Sequence, residues 1–215
     1  MAARRNDVAA KPKVATRRKP SARAEPTLAF AEVGEWKAWL RAHHATSKGV
    51  LLRLPKGTDK VFTYAEALDA ALAWGWIDSQ KRALDETAWL QRFTPRGPKS
   101  PWSRINCTRA EALIEKKKMR APGLAQVERA RADGRWANAY HGARASTVPR
   151  DLARALASKP RAQRFFATLD GANRYAILYR LQTAKRPETR AQRLERFVSM
   201  CARHEVIHAR RAAKK

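Results

Sequence analysis

Strand-type segments in this chain are confined to residues 50–94, and everything from Ser103 onward follows a helical period. That division restricts the fold to an α+β unit followed by a helical one. Val50, Leu51, Leu52 and Leu54 form a short apolar run, stopped by Pro55 and the Lys56-Gly57 turn, which is the pattern of a strand. Residues 75–84 and 88–94 read as two further strands around an Asp85-Glu86 turn. Two helices interleave with them. Val33, Trp36, Trp39, Leu40 and His43 recur at helical spacing over 32–44. Thr63 followed by Glu66 is a capping box that opens a helix with the stripe Tyr64, Ala67, Leu68, Ala71 and Leu72, ended by Gly75. The expectation is a small antiparallel sheet with helices, over residues 27–120.

The second part, 121–203, reads as helices alone. Ser103 caps a helix running to about Lys118, and Pro122 opens one that closes at Gly134. Residues 135–147 are loop-like, with aromatic residues of the kind that become buried. Pro149 starts a helix that stops at Pro160, and helices follow at about 161–169, 172–185 and 187–203, the last opened by Pro187. With 44% hydrophobic residues and seven Trp, the chain can build a packed interior. No run of 18 apolar residues exists and the N-terminus lacks an apolar signal core, so the expectation is a soluble cytoplasmic protein with no membrane span. Cys107 and Cys201 have no CxxC partner and read as ordinary thiols of a reducing compartment.

Charge points to the kind of partner. The chain carries 46 Lys and Arg against 19 Asp and Glu, a formal charge of +27. Residues 1–25 hold eight basic and two acidic residues, and residues 203–215 hold five and one, which leaves +17 on residues 26–202. The excess belongs to the body as well as the tails, and anionic ligands or polyanions are its natural counter-charges. Residues 1–26 have no aromatic residue and too little apolar surface to offset ordering entropy, so they read as a disordered basic arm. Such an arm would grip nucleic acid through phosphates, or serve only as a solubilising tail. Residues 204–215 form a second basic tail.

Several blocks carry a resemblance. Tyr64, Glu66 and Leu68 precede Trp74-Gly75-Trp76-Ile77-Asp78-Ser79. Arg92-Phe93-Thr94-Pro95-Arg96 is followed by Ser100, Trp102-Ser103 and Asn106. Met119, Asp133-Gly134-Arg135-Trp136 and Ala139-Tyr140 come next, then Val148-Pro149, Asp151-Leu152, Ala184-Lys185, Glu188-Thr189-Arg190 and Arg193. Together they resemble the YdeI/OmpD-associated family, also called bacteriocin-protection proteins, over about 30–203. The resemblance implies a cytoplasmic protein linked to resistance against bacteriocins or cationic antimicrobial peptides. It supplies no catalytic residues. A +27 chain repels cationic peptides, so a protective role here would act on an anionic target.

The densest chemistry lies at Asp78, Arg92, Arg96, Lys99, Ser100, Ser103 and Asn106, with Trp76 and Trp102 beside it. Arg side chains with hydroxyls before a helix N-terminus suit a phosphate or carboxylate, and the indoles would wall a ring. The competing reading makes the aromatic residues core, Ser103 a cap, and Asp78 the ion-pair partner of Arg96. Lys185 and Arg190 would line the same surface or form interdomain salt bridges. An enzyme using Asp78 as base in the same cleft is a further alternative. His204-Glu205-Val206-Ile207-His208 is a literal HExxH, which on a helix would bind zinc, with an upstream third ligand such as His43 or His141. It lacks a downstream ligand and sits in the tail, so a zinc hydrolase stands last. P-loop, GxGxxG and GxSxG templates are missing, and no cofactor is expected. The leading expectation is a non-enzymatic binding protein for an anionic ligand.

Overall fold

The computed structural model describes residues 25–57 and 62–209. The basic arm expected at 1–26, apart from Glu25 and Pro26, and residues 210–215 lie outside the described residues. Four strands, β1 (Thr27–Ala29), β2 (Val50–Pro55), β3 (Trp76–Ala83) and β4 (Ala88–Pro95), form one sheet in the order β1-β2-β4-β3. Helices α1 (Val33–His43) and α2 (Tyr64–Ala73) lie between the first three strands, and α3 (Arg104–Glu115) and α4 (Ala121–Ala132) follow β4. The C-terminal block contains α5 (Arg150–Ala157), α6 (Pro160–Ala167), α7 (Gly171–Gln182) and α8 (Pro187–Ala202).

The sheet is mixed, which corrects the antiparallel expectation: β1 runs parallel to β2, with Leu28 opposite Leu52. Three residues are too few for alternation to announce a strand, and a parallel partner needs the α1 crossover that separates the two. The other pairings are antiparallel, and β3 forms an edge. The β3–β4 turn is closed by Asp85, whose Oδ1 accepts from Thr87 N, Thr87 Oγ1 and Ala88 N, each at 2.7 Å. The register shifts between Asp78 and Lys81. Buried Gln91 donates there to the carbonyls of Ser79 (3.2 Å) and Gln80 (3.4 Å), satisfying backbone that the bulge frees.

The capping box is present: Thr63 Oγ1 accepts from Glu66 N, and the Glu66 carboxylate accepts from Thr63 N at 2.9 Å. One core gathers around Trp36, Leu52, Phe62, Leu72, Trp76 and Phe93. Val127 and Ala130 of α4 are buried in that core, against the sheet-side helices. Gly123 permits the approach, since a Cβ there would lie 2.4 Å from the Ala73 carbonyl oxygen. A second core, built on Leu152, Phe166, Ile177, Leu181 and Phe197, joins α5 to α8. Arg190 belongs to this block: its guanidinium holds Asp151 at 2.7 and 3.0 Å and the Leu181 carbonyl at 2.7 Å. The pair is therefore internal to the helical block, where the sequence suggested an interdomain bridge. The blocks meet at Tyr140, whose ring packs edge-on against Tyr179 at 5.0 Å, and at His141, whose backbone N–H donates to Gln182 at 2.9 Å.

Candidate functional site

The site is the connection from β4 to α3, residues 96–103, and the side chains around it. Arg96 N donates to the Gly75 carbonyl (2.9 Å), which anchors the end of β4 to the start of β3. The chain then turns: Ser100 N donates to the Gly97 carbonyl, and Gly97 N donates to Ser100 Oγ, both at 3.0 Å. Arg135 fixes the far side by donating to the Ser100 carbonyl at 2.8 Å while holding Asp133. Ser103 caps α3 by accepting from Asn106 N at 3.1 Å. Tyr140 N donates to the Trp102 carbonyl (3.0 Å), and Arg104 N to the Tyr140 carbonyl (2.8 Å), which seats the 136–140 segment against the loop.

The loop folds the Arg96 side chain back beneath itself. Arg96 is 5% exposed. Its guanidinium lies 3.6 Å from the Trp102 ring centroid, and Nη1 donates to the Pro101 carbonyl at 3.1 Å. Nε and Nη2 are buried without a hydrogen-bond partner, as is Trp102 Nε1. Burial pulls the guanidinium pKa down to about 10, with partial relief from nearby Tyr140, Cys107 and Asp78. A buried cation with two orphan N–H groups is costly, because desolvation is not offset by a paired anion. The cation–π contact returns part of that cost, about 2 kcal/mol when desolvated.

Asp78 is not the partner of Arg96. Its Oδ2 accepts from the Tyr64 hydroxyl at 2.6 Å. Burial, and then this hydrogen bond, raise the Tyr64 pKa. Arg92 alternates to the sheet face opposite Phe93 and is taken by Glu25, which its Nε approaches at 2.7 Å. That pairing raises the arginine pKa and lowers the carboxylate's. Trp76 is a core residue, donating its indole N–H to the His44 carbonyl at 3.0 Å. Ser100 and Ser103 hold backbone, as loop lock and cap, and Asn106 is buried. Lys99 is exposed at the mouth of a cleft of about 310 Å³, between the sheet-side block and the α7–α8 connection. Trp102, Arg135, Tyr140, Gln182 and Lys185 line it with Lys99. Of the expected residues, the fold brings Lys99 and Trp102 to the cleft, stacks buried Arg96 on Trp102 outside the cleft lining, and sends Arg92 and Trp76 elsewhere. Lys185, which the sequence offered to the same surface, lines the cleft; Tyr140 also lines it but stood only among the resemblance blocks, and nothing local in sequence joins it to Trp102.

The HExxH segment does not form a helical metal site. α8 ends at Ala202, and His204 takes φ 60°, a left-handed residue that closes the helix before the motif begins. The His204 ring stacks on Phe165 at 4.8 Å, Glu205 pairs with Arg203, and His208 is held through its backbone by Asn173. Among the described residues, no group of three His, Cys, Asp or Glu side chains is placed to hold a metal ion. No helix among them is long and apolar enough to cross a membrane.

Comparison with known families divides the chain as the two cores do. Residues 145–204 match the family described as bacteriocin-protection, YdeI or OmpD-associated, and residues 28–126 match a domain of unknown function, DUF8412. The resemblance read over 30–203 is thus supported for its C-terminal part, and the Trp74–Asp78 and Arg92–Asn106 blocks fall in the other match. No curated protein and no solved structure matches the chain.

Proposed function

We propose that this is a binding protein of the bacteriocin-protection type, and that the anionic group of a small ligand, entering the cleft that Trp102 lines, displaces that indole to reach the Arg96 guanidinium stacked on it. The observation that carries the reading is the buried guanidinium with Nε and Nη2 unpartnered. A carboxylate or phosphate offers two oxygens at the spacing of that fork and would offset its desolvation. Lys99 and Lys185 on the cleft walls raise the local anion concentration, while Arg135 there is paired with Asp133. Tyr64 holds the Asp78 carboxylate, so that carboxylate does not compete for the arginine. The +27 charge supports an anionic target over capture of a cationic peptide.

Thermal melts with inorganic phosphate and with acetate, against chloride at matched ionic strength, test the reading. The native chain should gain several degrees with one of the two anions. Arg96→Met should lose that gain and yet be no less stable than the native chain without anion, because it removes an uncompensated buried charge. An equal gain in Arg96→Met would overturn the proposal. So would a variant destabilised in the absence of anion, since Arg96 would then be structural.

A further inference from the structure

We infer that the groove between α1 and α2 is a second, separate site, which takes a small amphipathic anion: an apolar body bearing one acidic head. The groove encloses about 710 Å³, within the range of cavities that hold small organic ligands. Its shape follows from small residues at facing positions. Gly34 and Ala38 on α1 and Ala70 and Ala73 on α2 leave a trough floored by Trp74 and buried Leu113. Trp74 packs against the His44 ring at 4.6 Å, which fixes its indole at the end of the trough.

Charge decides the head group. Lys37 and Arg41 stand one helical turn apart on α1, and Lys118 and Arg120 come from the α3–α4 connection. The two acids of the lining are already committed. Glu66 accepts from Thr63 N and Oγ1 at 2.9 and 2.7 Å, and Asp69 accepts from Arg109 at 2.7 Å. Among the described residues, Arg41, Lys118 and Arg120 make no ion pair or side-chain hydrogen bond. Their charge is therefore available at the rim. Lys118 is delivered there by a strained turn: Lys117 has φ 54°, while Lys118 N reaches back to the Leu113 carbonyl at 2.8 Å. The apolar floor favours a ligand with a body over a bare phosphate, and four cations against Glu66 and the Arg109-paired Asp69 favour an acidic head over a cationic one.

The probe is 8-anilinonaphthalene-1-sulfonate, an aromatic body with one acidic group, compared with neutral N-phenyl-1-naphthylamine at physiological salt. The full chain should bind the sulfonate at one saturable site and the neutral compound at least tenfold more weakly. Ala38→Leu, which fills the trough from an exposed helix position, and the Lys118→Gln/Arg120→Gln pair should each weaken the sulfonate at least fivefold. Circular dichroism melts confirm that both variants fold. Arg96→Met should bind the sulfonate as the native chain does, which separates this site from the cleft beside Trp102. Equal affinity for the neutral compound, unchanged affinity in both groove variants, or displacement by inorganic phosphate at low millimolar concentration would each overturn the inference.

Discussion

Tyr64 donates its hydroxyl hydrogen to Oδ2 of Asp78 at 2.6 Å, and so occupies the carboxylate that the sequence offers to Arg96. This one contact joins the first residue of α2 to the edge strand β3 and leaves Arg96 to Trp102 and the Pro101 carbonyl. Tyr64→Phe removes the donor and leaves a half-buried carboxylate unsatisfied there, a loss of about 1–2 kcal/mol in urea unfolding at neutral pH. The pH dependence has a definite sign. Tyr64 titrates higher in the folded chain than its ordinary 10.0, chiefly through burial. Its stabilisation is complete below pH 10 and is lost as pH rises above it, towards the raised folded value. The stability gap between native and Tyr64→Phe should therefore narrow above pH 10.

Lys117 occupies the left-handed position that ends α3, with φ 54°. Lys117 N donates to the Ile114 carbonyl at 2.9 Å and Lys118 N to that of Leu113 at 2.8 Å, the paired bonds of a Schellman closure. Glycine adopts this conformation without the Cβ clash. Lys117→Gly should raise stability by about 0.5–1 kcal/mol, read as a higher denaturation midpoint with an unchanged slope.

Gly123 sets the distance between α4 and the end of α2. A Cβ there would meet Ala73 O at 2.4 Å, Leu72 O at 2.6 Å and Met119 Sδ at 2.5 Å. Two of these atoms are backbone and cannot swing aside. Gly123→Ala should cost about 3 kcal/mol, from the overpacking of a well-filled interior. Gly171→Ala meets nothing within 4 Å and serves as the matched control, with a change near zero.

What the sequence made legible was local. Thr63 with Glu66, Ser103 before α3 and Pro187 at the start of α8 are signals read within one turn, and each marks a helix start in the structure. The β2 run and the β3–β4 turn at Asp85 were visible for the same reason. What stayed hidden was pairing across the chain. Tyr64 and Asp78 are linked through the α2–β3 packing, Arg92 is claimed by Glu25 from 67 residues away, and α1 and the α3–α4 connection supply cations to one groove. The HExxH pattern, placed last among the sequence readings, shows the same limit, because a motif on paper carries no backbone. His204 ends the helix that the motif requires.

Asp151 and Arg190 tie the N-terminus of α5 to α8 inside the segment that matches the bacteriocin-protection family. The hydrogen bond from Arg190, foremost, holds the Asp151 pKa below its ordinary 3.8, and the Leu152 N–H assists at 2.9 Å. A depressed carboxylate stabilises the fold above its unfolded pKa, and that contribution disappears as pH falls through the folded value. Asp151→Asn should therefore cost about 1 kcal/mol at neutral pH, the modest figure reflecting a pair that is one-third exposed and screened by water. The penalty should shrink progressively below pH 4, as the native carboxylate takes up its proton. Arg190→Gln should cost more than Asp151→Asn at pH 7, because it also strips the Leu181 carbonyl of its 2.7 Å donor at the end of α7. Urea unfolding of the three proteins at pH 3.5 and pH 7 checks the order. Equal losses for the two variants at pH 7 would show that the carbonyl contact contributes nothing.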